Sequence, residues 1–141
     1  MELDVMLCDH AQVSGSKLFI SGANINRVTV AASAMPPFPI TLAVAGLIHV
    51  PWNSTNTEHT VAMALLDEDG QPARVPEGVA GTIGGEFTFN VGRPAQLAAG
   101  DSQIVPFAYN FAGIPLMQRG RYGFAITLNG TTLRSVPFTV D

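Results

Sequence analysis

Arg121-Tyr122-Gly123-Phe124-Ala125-Ile126-Thr127-Leu128 puts a large apolar residue at every second position. That period of two is the signature of a strand with one buried face, here Tyr122, Phe124, Ile126 and Leu128. Asn129-Gly130 follows, a pair that suits the two positive-φ positions of a type I′ hairpin turn. Thr132 to Val140 then returns, with Val136, Phe138 and Val140 on one face. A two-residue loop pairs Leu128 with Thr131, Ile126 with Leu133 and Phe124 with Ser135. Opposed residues share a face. This register would bury Leu133 but expel Val136 and Phe138. A bulge near Arg134-Ser135 keeps all four apolar residues, Val140 included, inward. Just upstream, Leu116-Met117-Gln118-Arg119-Gly120-Arg121-Tyr122 has the form of a tyrosine corner, in which the hydroxyl returns to the backbone a few residues before it.

The same alternation spreads outward along the chain. Leu3, Val5 and Leu7 mark a first strand, and Gly15-Ser16 a turn. Lys17 to Gly22 is a second strand, and Asn24 to Ala31 a third with Val28 and Val30 inward. Met35-Pro36-Pro37-Phe38-Pro39 reads as an extended crossover between sheets, because three prolines fix φ and remove donors. Ile40 to Val50 is apolar on both faces, so it calls for cover on both sides, from the core and from a neighbour. Pro51 to Asn56 is a polar connection with room for one helical turn capped by Asn53 or Ser54. Glu58 to Leu66 is a strand, and Asp67 to Pro72 a turn. Residues 73–85 are ambiguous. Glu86 to Val91 and Gln103 to Phe111 alternate again, and Pro106 places the latter at an edge or a bulge. About nine strands with turns every 8–12 residues predict one domain over residues 1–141. Its class is all-β, a Greek-key antiparallel β-sandwich of immunoglobulin-like or jelly-roll type.

Composition bounds the function. The 141 residues carry 7 basic and 11 acidic side chains, for a net charge of −4. A nucleic-acid partner is not expected without a basic footprint. No apolar run reaches the ~18 residues of a membrane span. Hydrophobic residues make up 47% and charged residues only 13%, about half the usual charged share. Mean hydropathy is +0.27. The surplus apolar surface is most simply placed in a subunit interface, so a homo-oligomer is expected. A single cysteine, Cys8, and an N-terminus without basic and apolar leader regions predict a cytoplasmic protein.

No catalytic constellation stands out as a linear pattern. His10, His49 and His59 show no metal-ligand spacing, though strands could bring them together. Asp67-Glu68-Asp69-Gly70 resembles the start of a calcium loop but lacks its distal bidentate Glu, and a hairpin turn explains it. No Gly-x-Ser-x-Gly or phosphate-binding glycine loop occurs. Cys8 lies in an apolar strand and reads as packing. The glycines at 78, 81, 84 and 85 read as loops or bulges. No catalytic residue, metal ligand or cofactor is therefore assigned. Trp52, beside Asn53 to Asn56, is a stacking platform for a sugar or partner, or else a cap on the core. Arg93, between Gly92 and Pro94, clamps an anion or ties its loop to backbone carbonyls. Trp52, Asn53 and Arg93 are the candidate binding residues, for a protein or small-molecule partner of unknown identity. Three functions follow: a non-enzymatic self-associating module, a carbohydrate-binding module using the Trp52 loop, and a metal-dependent sandwich enzyme.

Several short stretches also occur in order: Val50-Pro51-Trp52, Leu66-Asp67-Glu68-Asp69-Gly70, Val91-Gly92-Arg93-Pro94, Pro106-Phe107-Ala108-Tyr109-Asn110-Phe111, Gly120-Arg121-Tyr122-Gly123-Phe124, and Asn129-Gly130 before Val136-Pro137-Phe138. Together with Asp9 and Lys17-Leu18 they resemble a family of small uncharacterised bacterial proteins, mainly actinobacterial. The resemblance implies a compact single-domain β-sandwich and carries no activity with it. Asn129 stands where that family commonly has an acidic turn residue.

Overall fold

A computed structural model of the chain describes residues 1–79 and 81–141. Among the described residues nine strands form: β1 (Glu2–Ser14), β2 (Lys17–Ala23), β3 (Arg27–Val28), β4 (Phe38–Pro51), β5 (Glu58–Asp67), β6 (Gly84–Asn90), β7 (Ser102–Leu116), β8 (Gly120–Leu128) and β9 (Thr131–Val140). One sheet has the order β2-β1-β4-β7 and the other β3-β9-β8-β5-β6. Neighbours pair antiparallel except β3, which runs parallel to β9. Helical structure among the described residues is limited to a 3-10 turn at Trp52–Ser54.

One buried cluster joins the two sheets. Leu3, Leu7, Ile40, Leu42, Val44 and Phe107 from the first sheet meet Val61, Leu65, Phe124, Ile126 and Phe138 from the second. Aromatic rings cross the gap: Phe111 of β7 stacks on Phe124 of β8 at 5.2 Å, and Phe107 of β7 meets Phe87 of β6 at 5.4 Å. The β6–β7 flank closes tightly because Gly85 has no side chain. A Cβ there would lie 2.2 Å from the Tyr109 ring. On the opposite flank the Arg134 Nε donates to Leu3 O at 3.0 Å, and Ile25 N–H to Leu7 O at 3.1 Å.

The β8–β9 hairpin forms with the two-residue loop, pairing Leu128 with Thr131. Its φ values of 50° at Asn129 and 86° at Gly130 fit the type I′ turn. The extra residue is Leu133, because Ile126 pairs with Arg134 and Thr127 with Thr132. The bulge thus falls just before Arg134-Ser135, and it does keep Leu133, Val136, Phe138 and Val140 on the core. Tyr122 makes its corner: the hydroxyl donates to Gln118 O at 2.6 Å. Pro106 lies on β7, the outermost strand of its sheet. Pro137 obeys the same rule. The amides of Thr139 and Asp141 donate toward the β3 segment, so the odd positions of β9 turn away from β8, and Pro137 breaks no ladder bond.

Two local expectations change. The third strand shrinks from Asn24–Ala31 to Arg27–Val28, because only Arg27 and Val28 pair alongside Thr139 and Val140. Val28 and Val30 still pack on the core. The 3-10 turn has no side-chain cap, and its N-cap is Pro51 rather than Asn53 or Ser54. Its fastening is at the other end, where Thr55 Oγ1 donates to Trp52 O at 2.6 Å.

The cover for the second face of β4 comes first from the chain itself. Beyond Cys8, β1 leaves β4 and continues with β2 as a two-stranded ribbon. Such ribbons twist most strongly, and this one swings across the back of its own sheet. Ala11, Leu18 and Ile20 pack there on Cys8, Ala43, Ala45 and Ala108. Asn110 of β7 holds the ribbon as a strand would: Ala11 N–H donates to its Oδ1 at 3.1 Å, and its Nδ2 donates to Ala11 O at 2.8 Å. The small side chains beneath let the backbones approach.

Candidate functional site

Trp52, Asn53 and Arg93 come together at one end of the two sheets. Val50 closes the core and Pro51 ends β4, so the chain turns out over that end in the 3-10 turn. The Arg93 guanidinium lies over the Trp52 ring, 3.8 Å from its centroid. Its Nε donates to Thr55 Oγ1 at 2.7 Å and its Nη2 to Trp52 O at 3.0 Å. Thr55 is buried at 3% exposure. Arg93 therefore ties the loop to a backbone carbonyl and, by the same placement, fixes the indole. A cation over a tryptophan face adds about 0.5–1 kcal/mol at exposed sites. Trp52 is half-buried and Asn53 exposed. An open depression of about 350 Å³ lies beside them, lined by Pro51, Trp52, Asn53, Gly100 and Ser102.

His59 stabilises the same end and was not foreseen in that role. It is buried at 5% exposure and lies 5.3 Å from the Phe89 ring. Asn129 accepts from Thr60 N–H through Oδ1 at 2.9 Å, so its Nδ2 is the donor to His59 Nδ1 at 2.9 Å. The imidazole proton must then sit on Nε2, which donates to Ser54 O at 2.8 Å. The network links the Trp52 turn, β5 and the β8–β9 turn. Spacing alone could not show this, because the partners are 70 residues apart. The three histidines do not converge. His10 is exposed, and His49 Nε2 pairs with Asp4 Oδ2 at 2.8 Å. Among the described residues no three His, Cys, Asp or Glu side chains form a metal-holding group.

A second surface lies on the back of the first sheet. The register sets Met6, Ala45 and Ala108 in one row, Asp4, Leu47 and Pro106 in the next, and Glu2, His49 and Ile104 in the third. The β1–β2 ribbon covers only one end of this face. Beyond it Met6 stays 38% and Ile104 53% exposed, with Leu47 and Pro106 half-buried between them. The signal was present in the sequence as the off-phase apolar residues of strands whose core face is set by Leu3, Leu7, Val105 and Phe107. Cys8, also off-phase, is fully buried. Burial and the neighbouring Asp9 push its thiol pKa up, against a hydrogen bond to His10 O. It is packing, as expected.

The back of the second sheet carries an open groove of about 510 Å³ between the Asp67–Gly70 turn and Arg121, Gly123, Ser135 and Pro137. Asp67 is occupied there by its own turn, its Oδ1 accepting from the amides of Asp69 and Gln71.

Fold and site together define a two-sheet, all-β protein with a pinned aromatic loop at one end and a half-covered apolar face. The chain belongs to a family of unknown function, DUF6941, whose model matches residues 3–141. No curated protein matches it. Among the described residues no helix is long and apolar enough to cross a membrane.

Proposed function

We propose that this protein is a non-enzymatic, self-associating β-sandwich module of one domain, residues 1–141. A second copy covers the bare part of the first sheet's back. The reading rests on one observation: Met6, Leu47, Pro106 and Ile104 form a continuous apolar strip that the β1–β2 ribbon leaves open. Strands lie about 4.8 Å apart and advance about 3.3 Å per residue, which makes the strip a few hundred Å². That is the size of a functional patch on a monomer. It is smaller than the ~800 Å² per partner of a standard interface, so the association is weak and concentration-dependent.

The strip itself, Met6, Leu47, Pro106 and Ile104, carries no charge, and Glu2, Asp4 and His49 lie beside it. Asp4 Oδ2 is bonded to His49 Nε2 at 2.8 Å. An uncharged apolar patch suits a second copy of itself, and the net charge of −4 is a repulsion that the association must overcome. Closed two-fold pairing is the commonest oligomer geometry. The lone cysteine, without a disulfide partner, supports a cytoplasmic setting. The motif resemblance supports a bacterial, mainly actinobacterial source.

Sedimentation velocity over micromolar to sub-millimolar concentrations tests the proposal. The sedimentation coefficient should rise with concentration. Ile104→Glu should weaken association at least roughly tenfold, as expected for a desolvated charge, with an unchanged circular dichroism spectrum. A 14.9 kDa species at every concentration would overturn it.

A further inference from the structure

We infer that the depression beside Trp52, which adjoins the Ile104 end of the association face through Pro51 and Ser102, is a binding site for a neutral saccharide. The Arg93 guanidinium occupies one face of the indole at 3.8 Å and does not line the depression. The ligand space therefore meets a part of the indole that the guanidinium does not cover. The backbone that carries the ring is also fixed, since the Trp52 carbonyl accepts from Arg93 Nη2 and from Thr55 Oγ1. A platform held in place loses little freedom when a ligand stacks on it.

The remaining lining selects the ligand class. It offers the Asn53 amide, the Ser102 hydroxyl, the Pro51 ring and the bare backbone at Gly100. A Cβ at Gly100 would meet nothing within 4 Å, and its φ is +96°, so a ligand can reach this main chain directly. No charged side chain lines the space. Asp101, next in sequence, turns its Oδ2 to the amide of Ala98 at 2.9 Å. Arg93 has its Nε and Nη2 engaged within the loop. An anionic or cationic ligand would find no counter-charge in the depression. A wholly apolar one would leave the Asn53 amide and the Ser102 hydroxyl facing it unpaired. A pyranose meets both conditions, with C–H groups on one face for the indole and hydroxyls at its edge for the amide, hydroxyl and backbone. At about 350 Å³ the depression lies at the small end of ligand sites, roughly 300–1,000 Å³.

Trp52 is the sole tryptophan, so its fluorescence reports directly on this site. The full chain is titrated with cellobiose, maltose, lactose and diacetylchitobiose, with sorbitol as solvent control and galacturonate as the charged comparator. A saturable, millimolar change in emission with at least one neutral disaccharide is expected, and none with sorbitol or galacturonate. Asn53→Ala should raise the dissociation constant roughly tenfold, the effect of one hydrogen bond. Trp52→Phe, followed by saturation-transfer NMR, should keep weaker binding and the native circular dichroism spectrum. Met6→Glu, which charges the far end of the association face three rows from Ser102, should bind as the wild type does, and this separates the site from self-association. No saturable change with any of the four disaccharides overturns the inference, as does binding that Asn53→Ala leaves untouched or that galacturonate reproduces.

Discussion

Tyr122 shows how much one hydroxyl can organise. Its ring is buried among the core residues, 5.8 Å from the Phe138 ring, while its oxygen reaches back four residues to Gln118 O. Burial drives its pKa above the ordinary 10.0, the bond to Gln118 opposes that, and Asp67 adds a smaller upward push. A folded pKa above the unfolded one means the folded state holds the proton more tightly. The resulting stability is complete below about pH 10 and is lost as pH rises through the folded value. Tyr122→Phe should lower the unfolding free energy by about 1 kcal/mol near neutral pH, measured by urea titration. It should also flatten the decline above pH 10 relative to wild type, whereas an unchanged alkaline slope would refute the assignment. This corner was legible because all its parts lie within seven consecutive residues. Arg93 was legible only as two alternatives, since the carbonyl it binds lies 41 residues away.

At the scale of elements, local signals located strands well and their neighbours poorly. The Asn129-Gly130 turn and the bulge beside it follow from alternation on two adjacent segments, and the bulge falls at Leu133, next to Arg134-Ser135 where it is expected. The β1–β2 ribbon was visible as two strands and a turn, but its fold over the sheet was not. That placement depends on Asn110, 99 residues from Ala11, and on three alanines whose small size matters only once they are stacked. The demand for cover on β4 was correct in kind, and the ribbon supplies part of it. Asn110→Ala removes both bonds to Ala11 and should destabilise the protein by about 1–3 kcal/mol, taking about 0.5–1.5 for each bond. Hydrogen exchange gives the sharper reading. Amides of Ala11 to Ser14 and of β2 should lose protection selectively, while β8 keeps its own. Uniform loss across both sheets would show that the ribbon is no separate fastening.

For the whole molecule, the decisive question is whether two sheets with different strand orders behave as one body. Alternation identified the core residues of both sheets, yet strand order was beyond it, because any strand with one apolar face can lie beside any other. A tyrosine corner fixes one crossing and leaves the remaining path open. The physical link is the aromatic stack: Phe124, fully buried, lies 5.2 Å from Phe111 of the opposite sheet and 6.0 Å from Phe138 of its own. Phe124→Ala removes contacts on both sides of the gap at once and should cost about 3–5 kcal/mol. That is a large part of the roughly 5–15 kcal/mol available to a typical domain. Where that variant is too weak to fold, Phe124→Leu keeps most of the volume and offers a milder version of the same test. In either variant, urea transitions followed by far-ultraviolet and near-ultraviolet circular dichroism should coincide and shift together to lower urea. Both sheets would then unfold as a unit through the core they share. Separated transitions, with only one shifted, would mean that the stack does not couple the sheets and that each is stabilised largely within itself.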